Sequence, residues 1–407
     1  MKTADPELMR AINRLSVVDT IRRFGPISRV EICEHTELSP TTVSAITAAL
    51  LDDALIIPTA LGDLRDEATR GRPRVQLALN PDAAHVVGVR LTPDQITVAT
   101  TNFRADVLES LTLPVRLDRQ PAGVIADLVE DGVRRSVADA NLPMSRIAGV
   151  CIGLPGIVAR DAGICRRGPV FSEANVPLGR DLADRLSVPV TLDVDVNLAA
   201  LAEHWFGRGR DLDDFLVITL EQSLGLGVIH RGEVFRIPGG LSPDLGDVVV
   251  AGGDGTPKRL GSVASLAAIL DELGRELGGD HAAITGRPDR SVALARDGAE
   301  AGDAAVAAIL ARAGTTLGIA IANLISLFAP PRIILTGLGI ALGRSLLDPL
   351  RQAVRDNTPD GMDDVTEIVH EIRGEDMWAR GAAAMMLRDL YGAPWNTTGP
   401  AMRRLAR

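Results

Sequence analysis

The sequence predicts a winged helix-turn-helix followed by a larger α/β region. Three observations lead there: paired helix-capping signatures early in the chain, two short apolar runs flanking an arginine-rich loop, and strand runs alternating with helices from Val86 onward. At 407 residues the chain exceeds what one hydrophobic core usually serves, so two or three folding units are expected.

Leu8, Ile12, Leu15, Val18 and Ile21 recur at three- and four-residue steps, one face of an amphipathic helix that ends near Gly25-Pro26. Ser28-Arg29-Val30-Glu31 then matches a capping box, in which the serine oxygen and the glutamate carboxylate each satisfy an orphan backbone donor. This starts a second helix that ends near Leu38. Ser39-Pro40 supplies an N-cap serine followed by proline at the first helical position, where its missing N–H costs nothing. The third helix runs to about Asp53.

Two short helices meeting at a tight turn place the second of them in a major groove. Val43, Ile46, Leu50 and Leu51 form its buried stripe, and Ser39 with Thr41, Thr42, Ser44, Ala45 and Thr47 are the candidate DNA contacts. Short hydroxyl and methyl groups suit phosphate oxygens and thymine methyls, and none makes a bidentate arginine–guanine contact. Leu55 to Pro58 and Val75 to Leu79 read as the two strands of a wing. Arg70, Arg72 and Arg74 at its far side form a tip that enters a minor groove, lies along phosphates, or is simply a solvated basic loop. Residues 1–80 carry 10 Lys and Arg against 11 Asp and Glu, so the positive charge is local to the wing.

The bulk composition sets further bounds. A net charge of -10 excludes a chain that coats nucleic acid along its whole surface, and 3% aromatic residues are too few for a row of single-strand stacking platforms. Cys33, Cys151 and Cys165 lie far apart without CxxC pairing, which gives no disulfide framework and fits a reducing cytosol. MKTADPELMR lacks the apolar core of a signal peptide, so export is not expected. The long uncharged stretch from Ala313 to Pro331 includes two threonines, an asparagine, a serine and two prolines and barely reaches the roughly 20 residues of a membrane helix; a buried globular helix is expected.

Beyond residue 85, strands are expected at Val86–Val89, Ile96–Ala99, Val107–Leu113, Ile147–Ile152 and Val188–Leu192, with helices at Ala122–Asp139 and Leu198–Trp205. Gly153-Leu154-Pro155-Gly156 follows one strand and Asp193, Val194, Asp195 follow another. Ligands of open α/β sheets sit at such strand ends.

The order of these features resembles the ROK family, named for repressors, open reading frames and sugar kinases. The residues that carry the likeness are Ser39 to Leu55 with Gly71-Arg72-Pro73, Gly153-Leu154-Pro155-Gly156, Asp195-Val196-Asn197 with Glu203, Gly225-Leu226-Gly227 with Gly232, and Ile333 to Gly337. The resemblance implies an actin-like ATPase fold of two α/β lobes around a cleft. It also implies where kinase chemistry would reside, and there the chain departs from the pattern. The kinases' Asp-x-Gly-x-Thr phosphate loop reads Arg90-Leu91-Thr92-Pro93-Asp94, and their Gly-Thr-Gly loop reads Glu221-Gln222-Ser223. Asp195 remains as a degenerate candidate for the catalytic base. The zinc-bearing members' histidine and cysteine cluster is missing from the stretch between Asp244 and Gly261, so no metal is expected. The positions that hold sugar hydroxyls in the family read Val194, Asp244, Asp247 and Gly261.

The expected organisation is a DNA-binding domain at 1–80 and a ROK-like body at 81–395, with residues 81–200 and about 376–395 in the first lobe and 201–375 in the second. A basic, disordered tail is expected at 396–407. The implied function is a cytoplasmic regulator, a repressor of carbohydrate-related genes. Its partners are a double-stranded DNA operator, a second copy of itself as dimer or tetramer, and a sugar-like effector held by Gly153, Pro155, Gly156, Asp195, Asp244 and Asp247; no cofactor and no membrane are expected. A vestigial cleft with no ligand stays open beside the effector reading. The competing reading is an ATP-dependent sugar kinase with an added DNA-binding domain.

Overall fold

The structure is a computed structural model and describes residues 6–59, 75–251, 255–277, 288–362, 364–372 and 374–391. It divides into two compact units: the described residues of 1–154, 162–193 and 378–407, and those of 155–161 and 194–377.

The first unit opens with α1 (Pro6–Phe24), β1 (Ile27–Ser28), α2 (Arg29–Thr36), α3 (Pro40–Asp52), β2 (Ile56–Thr59) and β3 (Gln76–Leu79). The capping box forms as expected: the Ser28 N–H donates to Glu31 Oε2 at 2.9 Å and the Glu31 N–H to Ser28 Oγ at 3.3 Å. Ser39 Oγ accepts from the Thr42 N–H at 3.2 Å, with Pro40 in the first turn of α3. Val18, Ile21, Ile32, Val43, Leu50 and Leu77 are buried where α1, α2, α3 and β3 meet. Leu8, expected in the α1 stripe, is 43% exposed, and full burial on that helix begins only at Val17. The expected wing pair gains a third strand, in the order β1-β3-β2, with Ile27 opposite Leu77.

The same unit continues through β4 (His85–Leu91), β5 (Gln95–Asn102), β6 (Val107–Pro114), α4 (Ala122–Asp139) and β7 (Ile147–Leu154). After β8 (Ile157–Ala159), which belongs to the second unit, come β9 (Ile164–Arg167), α5 (Leu178–Leu186) and β10 (Val190–Val194). Its sheet has the order β10-β7-β4-β5-β6.

The second unit contains α6 (Asp195–Phe206), β11 (Phe215–Leu220), β12 (Leu224–His230), β13 (Glu233–Val234), β14 (Val249–Ala251) and β15 (Pro257–Arg259). It continues with α7 (Gly261–Ala264), α8 (Leu266–Leu277), α9 (Pro288–Glu300), α10 (Ala304–Phe328), β16 (Arg332–Thr336), α11 (Arg344–Asn357) and β17 (Glu367–His370). The last helix, α12 (Glu375–Leu390), lies mostly in the first unit. The second sheet has the order β13-β12-β11-β16-β17. Both sheets therefore follow one plan: the first strand is central, antiparallel strands extend to one side, and β7 or β16 runs parallel to it on the other.

α10 is long and apolar enough to cross a membrane by length and composition. Its Val306, Ile309, Leu310, Leu317 and Ile321 instead share a core with Leu216, Ile333, Leu335 and Leu350. α6 starts at Asp195, three residues before the expected helix, and joins the second unit although the expected lobe boundary lay at residue 200. The cause is packing: α6 lies on β12, where Gly225 and Gly227 leave room for it, and a Cβ on Gly225 would stand 2.8 Å from Val196 Cβ.

Candidate nucleic-acid interface and effector-site residues

The outer face of α3 follows from its 3.6-residue period. Thr41, Ser44, Ala45 and Ala48, at steps of three, one and three, are all exposed, and Ser39 stands exposed at the N-terminus. Thr42 is half-buried, with Oγ1 2.8 Å from Ser39 Oγ. Thr47, expected on this face, is a correction. It is fully buried, four residues after Val43 and three before Leu50, and its Oγ1 accepts from Arg29 Nε at 2.8 Å. Ala48 takes its place on the face; the helical spacing alone signals it. Arg14 pairs with Asp53 at 3.1 Å and ties α1 to the end of α3. Arg70, Arg72 and Arg74 lie outside the described residues.

Of the six candidate effector residues, Gly153 lies in β7 in register with Arg90 of β4, in the first unit. Pro155, Gly156, Asp195, Asp244 and Asp247 belong to the second. Asp195 opens α6, and its Oδ1 accepts from the Val196 N–H at 2.8 Å. Two residues on, Asn197 Nδ2 donates to Ser242 Oγ at 2.7 Å, fastening the first turn of α6 to the loop that carries Asp244 and Asp247. Within that loop the Asp247 N–H donates to Asp244 Oδ1 at 3.2 Å, and Arg259 Nη1 donates to the Asp247 carbonyl at 2.8 Å while standing 3.5 Å from its carboxylate. The structure thus brings Asp195, Asp244 and Asp247 onto elements bonded to one another.

The two segments that stand at the positions of the kinases' phosphate loops make their polar contacts within the protein. Arg90 is buried, with its guanidinium 3.8 Å from the centre of the Trp378 ring. Thr92 Oγ1 donates to Asp94 Oδ1 at 2.6 Å, closing the β4–β5 turn on itself. In the second unit Glu221 Oε1 accepts from the Leu338 N–H at 3.2 Å, just after β16. The Glu221 N–H donates to the Ser223 carbonyl at 3.1 Å, and its own carbonyl accepts from the Leu266 N–H at 3.0 Å. The Glu221 carboxylate therefore occupies a backbone donor of the segment that follows β16. His230 has Asp214 Oδ1 2.7 Å from its Nδ1 on the exposed surface.

A family model described as ROK family matches residues 86–389. The xylose repressor of Caldicellulosiruptor bescii is 26% identical over 85% of this chain and 88% of its own length. The glucokinase of Thermotoga maritima is 33% identical over 65% of this chain and 89% of its own. A crystal structure described as a ROK family transcriptional regulator, homolog of the Escherichia coli MLC protein, superposes with a TM-score of 0.75 at 25% identity, covering 95% of this chain and 97% of that one.

Proposed function

Because the chain belongs to the ROK family, we propose that it is a DNA-binding transcriptional regulator, a repressor of carbohydrate-related genes, whose body does not phosphorylate sugar. The observation that carries this is the contrast between its two ends of chemistry. The helix-turn-helix is fully capped and presents an exposed small-residue face, whereas the loops that would hold ATP are occupied by Glu221 and Arg90. ATP does not fit such loops.

In this reading Thr41, Thr42, Ser44, Ala45 and Ala48 face base edges, Ser39 sits at the phosphate end of the helix, and Arg70, Arg72 and Arg74 hold the backbone through charge. A homodimer or tetramer presents two such helices to half-sites about one DNA turn apart. A sugar-like effector at Asp195, Asp244 and Asp247 acts only through unequal affinity for two arrangements, one matching the half-site spacing and one not. The site of action is the cytoplasm.

The kinase reading draws on the glucokinase likeness and on Asp195 at the head of α6. Coupled-enzyme ADP release with a panel of hexoses separates the two. The proposal expects no turnover and no shift of Tm by MgATP; turnover that disappears in Asp195→Asn would overturn it. Selection of bound genomic fragments by the purified full chain tests the DNA arm, and enrichment no greater than that of bare resin contradicts it.

A further inference from the structure

The second unit contains a cavity of about 460 Å³ that none of the chemistry above uses. Its wall carries Arg296 from α9, Arg344, Asp348 and Arg351 from α11, and His370 from the end of β17, over an apolar floor of Ile340, Ala341 and Leu347. Its size lies within the range of small-molecule sites.

The polar wall is selective in sign. Three guanidinium groups face one lining carboxylate, Asp348, which stands 3.5 Å from Arg351 Nη1; Arg296 is also held by Asp297 at 2.8 Å. Arg351 Nη2 lies 3.0 Å from His370 Nδ1. A guanidinium has only donors, so Nδ1 is the accepting nitrogen and the ring proton sits on Nε2 as a further donor. The amides that open α11 add to this field: Gly343 stands at its N-cap at φ 75° with no side-chain cap, and a helix start of this kind favours an anion. Arginine forks match phosphate oxygens in geometry as well as charge.

We propose that this cavity binds a small phosphomonoester, its phosphate held by Arg344, Arg351 and the start of α11 and its organic part lying on Ile340, Ala341 and Leu347. This is independent of the DNA-binding reading and of the Asp195 loop.

Isothermal titration of the full chain with glucose 6-phosphate, inorganic phosphate and glucose tests it. Glucose 6-phosphate is expected to bind, and glucose at least tenfold more weakly. Inorganic phosphate weaker than glucose 6-phosphate identifies an organic phosphate as the ligand; equal affinity identifies orthophosphate, and the commitment to an organic ester falls. Arg344→Gln with Arg351→Gln should weaken binding at least tenfold with an unchanged Tm, and Asp348→Asn should tighten it by removing the opposing charge. Absence of binding at millimolar ligand, or equal affinity in the wild type and the double glutamine variant, overturns the site.

Discussion

Thr47 separates a residue that builds the DNA-reading helix from one that reads DNA. Replacing it with valine keeps its shape and removes the hydroxyl that accepts from Arg29 Nε at 2.8 Å, the bond that fixes α2 to α3. A hydrogen bond to a charged donor contributes about 1.5–3 kcal/mol, and water can replace part of it because Arg29 is only half-buried, so the loss is about 1.5 kcal/mol. For a unit of this size each kcal/mol moves Tm by roughly 2–4 °C, which gives a fall of about 3–6 °C for Thr47→Val. Differential scanning calorimetry measures that fall. Competition binding far below Tm, against duplexes that differ by one base pair in a selected fragment, should show an unchanged order of preference. A changed base preference with an unmoved Tm would refute the structural role and return Thr47 to the DNA-facing set.

Thr42→Ala, by contrast, should alter preference at particular base pairs, while Arg72→Ala should weaken binding to all duplexes alike and reduce the slope of log K against log salt by about 1; fluorescence anisotropy across a salt series reads both. Gly314→Ala would place a Cβ 2.2 Å from the Leu346 carbonyl where α10 meets α11, and should destabilise by about 1–3 kcal/mol in chemical denaturation, whereas an α10 that faced lipid would accept it. His85 is buried, and that burial, with Arg146 nearby and Asp82 opposing, holds its pKa below 6.5. The unfolded chain then takes up a proton that the folded chain refuses as pH falls below about 6.5, so stability declines there. His85→Gln should show a shallower fall of Tm between pH 7 and pH 5 than the wild type.

Legibility in the sequence followed the range of the forces involved. Helix starts at Ser28 and Ser39 were readable because an N-cap acts within three residues. β1 carried no readable signal: two residues hold no period, and it exists through pairing with Gln76 and Leu77. The start of α6 was misplaced because Asp195 read as part of the strand end, yet an aspartate in a first helical turn is favoured by the helix dipole. Thr47 fell outside the expected apolar stripe, which included Ile46, yet its position between Val43 and Leu50 buries it while Ile46 is only half-buried. The filling of the phosphate loop was visible only as a missing Gly-Thr-Gly pattern, since Leu338, the partner of Glu221, is 117 residues away. The cavity on α11 had no sequence signal, because Arg296 of α9 and His370 at the end of β17 join the segment 340–351 only in the fold.

In the proposed function the N-terminal segment supplies the DNA binding. The direct measurement is the affinity of the full chain and of residues 82–407 for the same selected genomic fragments, with circular dichroism confirming that both are folded. Tight, salt-sensitive binding by the full chain and loss of that binding by residues 82–407 are expected. Equal affinity of the two would contradict it.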